Sequence, residues 1–290
     1  MKTYREIYDL SRKKLADAGI GDANLDARLI MEMILSTDHN TLFAHPDLEV
    51  SSEDEALIAD RIALRAARIP LQHITGHQEF MGIDFAVNGD VLVPRQDTEC
   101  LVEEVLICTD DGDSVLDLCT GSGCILLSVM NYKNDIIGVG TDISEKALAV
   151  ARSNRDRLGI EKAEFLQGDL FEAIDNAEGW IPKKFEVIVS NPPYIRTAVI
   201  DELEPEVREH DPKIALDGGD DGLIFYRRII EKAGSYLKNY GHILLETGYD
   251  QTEDVKKLLE ERGYKDINVI RDLSGNPRVV TGVWKGNMYV

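Results

Sequence analysis

From residue 3 to about residue 74 the apolar positions recur at helical spacing: Ile7, Leu10 and Leu15, then Leu25, Leu29, Ile30, Met33, Ile34 and Leu35. This periodicity predicts a small helical domain over residues 1–74. Ser52-Glu53-Asp54-Glu55 offers a capping arrangement for a further helix from Ala56 to Arg68, whose Arg and Glu positions make a solvated face, and Pro70 stops it. The pattern then changes. Gln78 to Val87, with Gly82 at its middle, reads as a β-hairpin, which makes residues 75–95 a linker to the remainder of the chain. Beyond Val91 short apolar runs alternate with helical stretches, the grammar of a mostly parallel sheet with helices on both faces. Helices are predicted at 97–108, 123–132, 144–158, 223–238 and 251–262. The last strands, at 242–246, 265–270 and 277–284, complete a seven-stranded sheet within an α/β domain over 96–290. Residues 196–222, rich in Glu, Asp and Gly, are predicted as a long loop, and loops of that length in compact domains are usually functional or mobile.

Composition narrows this picture moderately. A chain of 290 residues is long enough for one large domain and a smaller one, and 43% hydrophobic residues support a real core. The formal charge of −21 disfavours free nucleic acid backbones as partners, although Arg61, Arg65, Arg68 and Arg95 offer local positive surface. The four cysteines, Cys100, Cys108, Cys119 and Cys124, form no Cys-x-x-Cys pair and accompany no secretory leader, which fits reduced thiols in a cytoplasmic protein. No metal site is expected. His73 and His77 are spaced i,i+4, but the glutamate of a His-Glu-x-x-His site is missing and Gly76 interrupts the helix. No apolar run approaches the length that spans a membrane.

The candidate chemistry sits where strands end. Ser114-Val-Leu-Asp117-Leu-Cys119-Thr120-Gly121-Ser122-Gly123 runs from a buried strand through a Gly-rich turn into an apolar helix. Such a turn lets a ligand approach the backbone, and the helix start can receive a carboxylate. A dinucleotide fingerprint is not met, because the third glycine position is Leu126. A second strand, Ile136 to Thr141, ends at Asp142, placed to take both hydroxyls of a ribose. A third, Ala163 to Gln167, ends at Gly168-Asp169-Leu170, where the carboxylate could accept an adenine amino group while Leu170 covers the ring. An acid at one strand end is more often a turn or a helix cap than a ligand. Consecutive strands carrying such residues at their C-terminal ends form an open α/β crevice.

The fourth strand, Phe185 to Ser190, delivers Asn191-Pro192-Pro193-Tyr194. Each proline fixes its own φ, donates no N–H and biases the residue before it toward extended backbone, so this is a rigid polar elbow. It suits methylation of a planar nitrogen. An amide or exocyclic amine nitrogen has a delocalised lone pair, so a site must accept its N–H hydrogen bonds and aim it; the Asn191 oxygen and the Pro192 carbonyl can accept, and Tyr194 can stack on the plane. Asn-Pro is also an ordinary turn signal, so the upstream strand ends decide its reading.

These residues resemble class I S-adenosylmethionine-dependent methyltransferases. Taken with Pro94-Arg95-Gln-Asp-Thr98-Glu99, Ala215-Leu-Asp-Gly-Gly-Asp-Asp-Gly222, Glu246-x-Gly248-x-x-Gln251 and Asp272-Leu-Ser-Gly275, they resemble the HemK/PrmC family of release factor glutamine N5-methyltransferases over about residues 5 to 285. The resemblance implies a Rossmann-like methyltransferase sheet with an antiparallel terminal strand and an N-terminal domain that docks the protein substrate. It implies a cofactor site of Asp117, Cys119, Thr120, Gly121, Ser122, Gly123, Asp142, Asp169, Leu170 and Asn191. It further implies a catalytic and substrate-binding elbow of Asn191, Pro192, Pro193 and Tyr194, and a release factor presenting a Gly-Gly-Gln loop. Cys119 departs from the family, which often has glycine there. Two rivals stand beside this reading. The same tetrapeptide serves enzymes that methylate adenine N6 in DNA or RNA, and a cofactor-binding interaction protein with vestigial chemistry would also keep the fold.

Overall fold

The computed structural model describes residues 1–286. The chain forms two compact units, residues 1–77 with 204–210 and residues 78–203 with 211–290.

The first unit is built from α1 (Tyr4–Asp17), α2 (Ala23–Leu35), α3 (His39–Ala44), α4 (Ser52–Ala66) and α5 (Leu71–Thr75). Thr3 and Glu6 close a reciprocal capping box on α1, and the Ser51 hydroxyl caps α4. The helical periodicity is realised as a core of Ile7, Leu15, Ala27, Ile30, Met31, Ile58 and Ile62. Asp26 stands buried beside this core, its charge balanced by Arg65 Nε at 2.6 Å. Arg65 and Arg68 also hold Glu206, at 3.1 and 3.0 Å, which ties residues 204–210 into this unit.

The second unit opens with the hairpin β1 (His77–Phe80) and β2 (Ile83–Ala86), whose Phe80 and Phe85 are wholly buried in its core. It continues through α6 (Glu99–Cys108), β3 (Ser114–Leu118), α7 (Cys124–Tyr132), β4 (Ile137–Asp142), α8 (Glu145–Leu158), β5 (Ala163–Gln167), α9 (Glu172–Asp175) and β6 (Phe185–Ser190). The stretch expected as a long loop carries a 3-10 segment, Thr197–Glu202, and two short helices, α10 (Pro205–His210) and α11 (Lys213–Leu216). Each is too short to register as a periodic pattern. Then come α12 (Ile224–Tyr236), β7 (Leu237–Glu246), α13 (Thr252–Arg262), β8 (Lys265–Arg271) and β9 (Pro277–Trp284). Strand β7 starts five residues before the expected 242. Its first half, Leu-Lys-Asn-Tyr-Gly, has turn composition, yet it stays in the sheet through a register irregularity opposite Phe185 and Val187, with Tyr240 at φ +64°.

The seven strands run in the order β5-β4-β3-β6-β7-β9-β8. All are parallel except β9, the last in sequence, which lies between β7 and β8. Both faces are covered, so the central strands read as continuous apolar runs rather than alternating ones. Val115, Val187 and Val189 face one layer with α6, α7 and α8, while Leu116, Leu118 and Ile188 face the other with α12 and α13. Glycine at position 140 makes room for the neighbouring strand's Phe165, since a Cβ there would stand 2.6 Å from that ring. The sheet order reverses between β3 and β6, and ligands of open α/β sheets bind at that point, beyond the carboxyl ends of the strands.

Candidate active site

At that reversal lies an open cleft lined entirely by the α/β unit. Its floor is the turn after β3. Cys119, Gly121 and Gly123 all have positive φ, at 60°, 56° and 78°, so the chain can leave the strand, expose its amides and re-enter α7. A side chain on Gly123 would meet Phe165, Ala151 and Leu127 within 3.2 Å, so this glycine is required by packing as well as by handedness. The turn is held from below by Asp117, whose Oδ2 accepts the Thr120 hydroxyl at 2.6 Å. Asp117 is wholly buried and does not border the cleft; burial pushes its carboxyl up to about 7, against the Thr120 hydrogen bond.

Asp142, at the end of β4, faces the cleft and binds its floor. Its Oδ2 accepts from the Gly121 amide at 3.0 Å and its Oδ1 from the Ser144 amide at 2.9 Å. Burial raises its pKa, and those amide hydrogen bonds oppose the rise. A carboxylate has about four acceptor positions, so two remain for a diol. Asp169 and Leu170 close the far wall beyond β5. Asp169 is paired with Arg228 Nη2 at 2.7 Å, and Arg228 lies over the Phe225 ring. Leu170 borders the cleft with φ +55°.

The elbow after β6 forms the opposite wall. Asn191 Nδ2 donates to Thr98 Oγ1 at 3.4 Å, and Thr98 borders the cleft beside it. Asn191 and Pro193 border the cleft, whereas Pro192 is buried behind it. Tyr194 is also set back: its ring packs on the core and its hydroxyl lies 3.4 Å from Glu246 Oε1. Of the residues expected from sequence, Cys119, Thr120, Gly121, Ser122, Asp142, Asp169, Leu170, Asn191 and Pro193 thus meet around one space. Asp117, Gly123, Pro192 and Tyr194 support it from outside.

Residues 6–76 match the PrmC N-terminal domain family and residues 109–285 a methyltransferase domain family. The release factor glutamine methyltransferase of Geobacter sulfurreducens is 40% identical over 280 residues, covering 97% of this chain and 96% of its own length. The chain belongs to the release factor glutamine methyltransferase family. The homologue of the same name from Caulobacter vibrioides is also 40% identical, over 284 residues, with 97% and 96% of the two chains covered. A solved methyltransferase from Pyrococcus furiosus shares the fold, with a TM-score of 0.51 at 19% identity over 79% of this chain and 98% of that one.

The methyltransferase takes S-adenosylmethionine as its cofactor, and the cleft fits that group. A Cβ built on Gly121 would stand in open space, so the glycine leaves a cradle beside the Asp142 carboxylate. Among the described residues no group of three or more His, Cys, Asp or Glu side chains is disposed to hold a metal ion.

Three of the family motifs turn out to be the buttress of the methyltransferase elbow. Gln251 Nε2 donates to the Tyr194 carbonyl at 2.9 Å, while Gln251 Oε1 accepts from the Gly248 amide at 3.2 Å. The Ile195 amide donates to Leu216 and the Gly218 amide returns to Ile195, so the 215–222 stretch runs beside the elbow. Asp272 pairs with Arg278, which also reaches Asp97 at 2.8 Å, bracing the turn that carries Thr98. Asn154 was not among the residues expected from sequence. It donates to the Ser122 carbonyl at 3.0 Å and exchanges hydrogen bonds with Ala86, pinning the glycine turn. Its signal was a polar residue on the buried stripe Ala147, Ala151, Asn154 of α8.

Proposed function

We propose that this chain transfers the methyl group of S-adenosylmethionine to the side-chain amide nitrogen of a glutamine in a peptide-chain release factor, presented on a Gly-Gly-Gln loop. The observation that carries this reading is the Asn191 amide, which borders the cleft just beyond the carboxyl end of β6 with its nitrogen 3.4 Å from Thr98 Oγ1. Bound S-adenosylmethionine supplies a methyl group on an electrophilic sulfonium. The protein's part is positional. Asn191 Oδ1 accepts an N–H group of the glutamine amide and so turns its π lone pair toward the methyl donor, while Pro192, buried behind the cleft, keeps the elbow rigid. Holding reactants in line contributes roughly 7–11 kcal/mol in favourable cases. No strong base is required, because the nitrogen becomes acidic as its new bond forms, and its proton leaves to solvent. Asp142 fits the ribose, Asp169 and Leu170 the adenine, and the glycine turn the methionine end. The helical unit of residues 1–77 with 204–210 is the docking surface for the protein substrate, and the reduced thiols suit a cytoplasmic enzyme.

Nucleic acid as substrate is disfavoured by the pairing of the arginines that offered positive surface. Arg65 is held by Asp26 and Glu206, Arg68 by Glu206, Arg61 by Asp60 and Arg95 by Asp211. Mass spectrometry of a release factor incubated with enzyme and labelled cofactor tests the proposal: one methyl group is expected on the loop glutamine and none on a Gln→Asn variant of that loop. Faster methylation of adenine in DNA or RNA would replace this reading with its rival.

A further inference from the structure

The turn beyond β5 is rigid in its backbone, while the carboxylate it carries is not fixed by that backbone. A Cβ on Gly168 would stand 2.8 Å from the Ala173 amide nitrogen, and the Glu172 amide donates to the Asp169 carbonyl at 3.2 Å, so the segment presenting Asp169 is packed tight. The Asp169 side chain is 34% exposed and has rotamers to choose from. What holds it is Arg228 on α12, whose Nη2 donates to Asp169 Oδ2 at 2.7 Å. The guanidinium is seated in turn on Phe225, three residues earlier on the same helix face, at 5.8 Å from the ring centroid. Asp169, Phe225 and Arg228 all border the cleft. Arg227, the adjacent residue, is paired with Asp221 and does not border it.

A carboxylate can only accept, and a purine edge can offer it a donor in two places. Adenine carries a donor amino group at C6 and an acceptor at N1; hypoxanthine carries an acceptor oxygen at C6 and a donor at N1. A carboxylate free to swing can follow the donor from one place to the other. One whose Oδ2 is pinned offers Oδ1 at a single place, and among the described residues no donor reaches Asp169 Oδ1. We propose that Arg228, seated on Phe225, is a positioning residue that fixes Asp169 so that Oδ1 meets the C6 amino group, and that it thereby makes the cofactor site select adenine over the oxo purine. The inference rests on Asp169 accepting the adenine amino group, as proposed above. The same pair keeps Arg228 occupied, since a guanidinium released into the cleft would donate to a C6 oxygen and favour the wrong base. Both partners are partly exposed, at 42% and 34%, and ion pairs of that kind contribute little to stability, so the pair can be removed without unfolding the unit.

The experiment is calorimetry on the full chain with two ligands, S-adenosylhomocysteine and S-inosylhomocysteine. Both lack the sulfonium charge, so a change of charge in the cleft does not act on one more than on the other. Wild type is expected to prefer the adenine ligand by roughly thirtyfold or more. Arg228→Met keeps an apolar stem on Phe225 and removes the guanidinium; the preference is expected to shrink roughly tenfold, through weaker binding of the adenine ligand and unchanged or tighter binding of the inosine one. If Arg228→Met does not fold, Arg228→Leu carries the same comparison. Arg227→Met, the same change of charge one residue away, should leave both affinities within about twofold of wild type. On an Asp169→Ala background, Arg228→Met should not change the preference, because there is no carboxylate left to position. Equal weakening of both ligands in Arg228→Met would overturn the inference in favour of a packing role, as would an undiminished preference or a further loss of preference on the Asp169→Ala background. Equal binding of the two ligands by wild type would instead refute the role of Asp169 on which the inference rests.

Discussion

Asp117→Asn separates the burial of a charge from every other feature of the glycine turn. Asp117 is wholly buried beneath that turn, and burial lifts its carboxyl from 3.8 to about 7. A shift of about three units at ~1.4 kcal/mol each corresponds to a ceiling of ~4 kcal/mol. The native carboxyl keeps its proton to higher pH than the unfolded one, so between about pH 4 and 7 the native state binds more protons. The stability it contributes is therefore fully present below the unfolded pKa and is lost as pH rises through the folded one. Between pH 5 and 8 that loss is on the order of 2 kcal/mol, and an asparagine does not share it. Glu246, also pushed up to about 7 by burial, titrates in both proteins and drops out of the difference. The sign of the difference at a single pH is not decisive, because a buried Asn NH2 without an acceptor costs about 1–3 kcal/mol. Its growth with pH is. Urea melts at pH 5, 6, 7 and 8 without cofactor would follow tryptophan fluorescence; both tryptophans, Trp180 and Trp284, lie in the α/β unit, so the signal reports that unit. The stability of Asp117→Asn relative to wild type should rise by ~2 kcal/mol across this range. Parallel curves would show that Asp117 is not held in the nonpolar setting described.

Asp142→Ala should weaken S-adenosylmethionine binding by roughly 1–3 kcal/mol, and part of the loss should come from the turn itself, since the Gly121 and Ser144 amides lose their acceptor; unchanged affinity by calorimetry would remove Asp142 from the site. At Cys119, with φ +60°, glycine should change stability by less than ~1 kcal/mol while β-branched valine costs ~2 kcal/mol; equal effects in denaturant melts would mean that side-chain volume matters and handedness does not. Gly222 has φ +74°, and a Cβ there would lie 2.4 Å from the Tyr194 carbonyl oxygen and 2.3 Å from Gln251 Nε2. Gly222→Ala should therefore cost ~2 kcal/mol or more and lower kcat more than cofactor affinity, because the elbow must shift; native turnover would show that the buttress is not needed.

The residues bordering the cleft were readable in sequence for one physical reason. In a parallel sheet every strand delivers its carboxyl end to the same edge, so a polar residue that closes an apolar run is placed at the site without knowledge of which strands are neighbours. Asp142, Asp169 and Asn191 are such residues. The supporting layer obeys a different rule. Whether Glu246 stands beside the elbow and takes the Tyr194 hydroxyl depends on β7 lying next to β6, and whether Arg278 braces the turn before α6 depends on β9 inserting between β7 and β8. Neither adjacency is set by chain order. The same limit explains the arginines. Arg65 and Arg68 look like free positive charge along the chain, yet their partner Glu206 lies about 140 residues away, in a six-residue helix with no period of its own. Tyr194 shows where the two rules meet: its position after the strand end is local, but Glu246 draws its hydroxyl inward and Gln251 holds its carbonyl, so the neighbouring strand and loop turn it from a lining residue into a brace. Side chains that face solvent or ligand answer to the pattern of their own segment, and those that hold the site together answer to the order of the sheet.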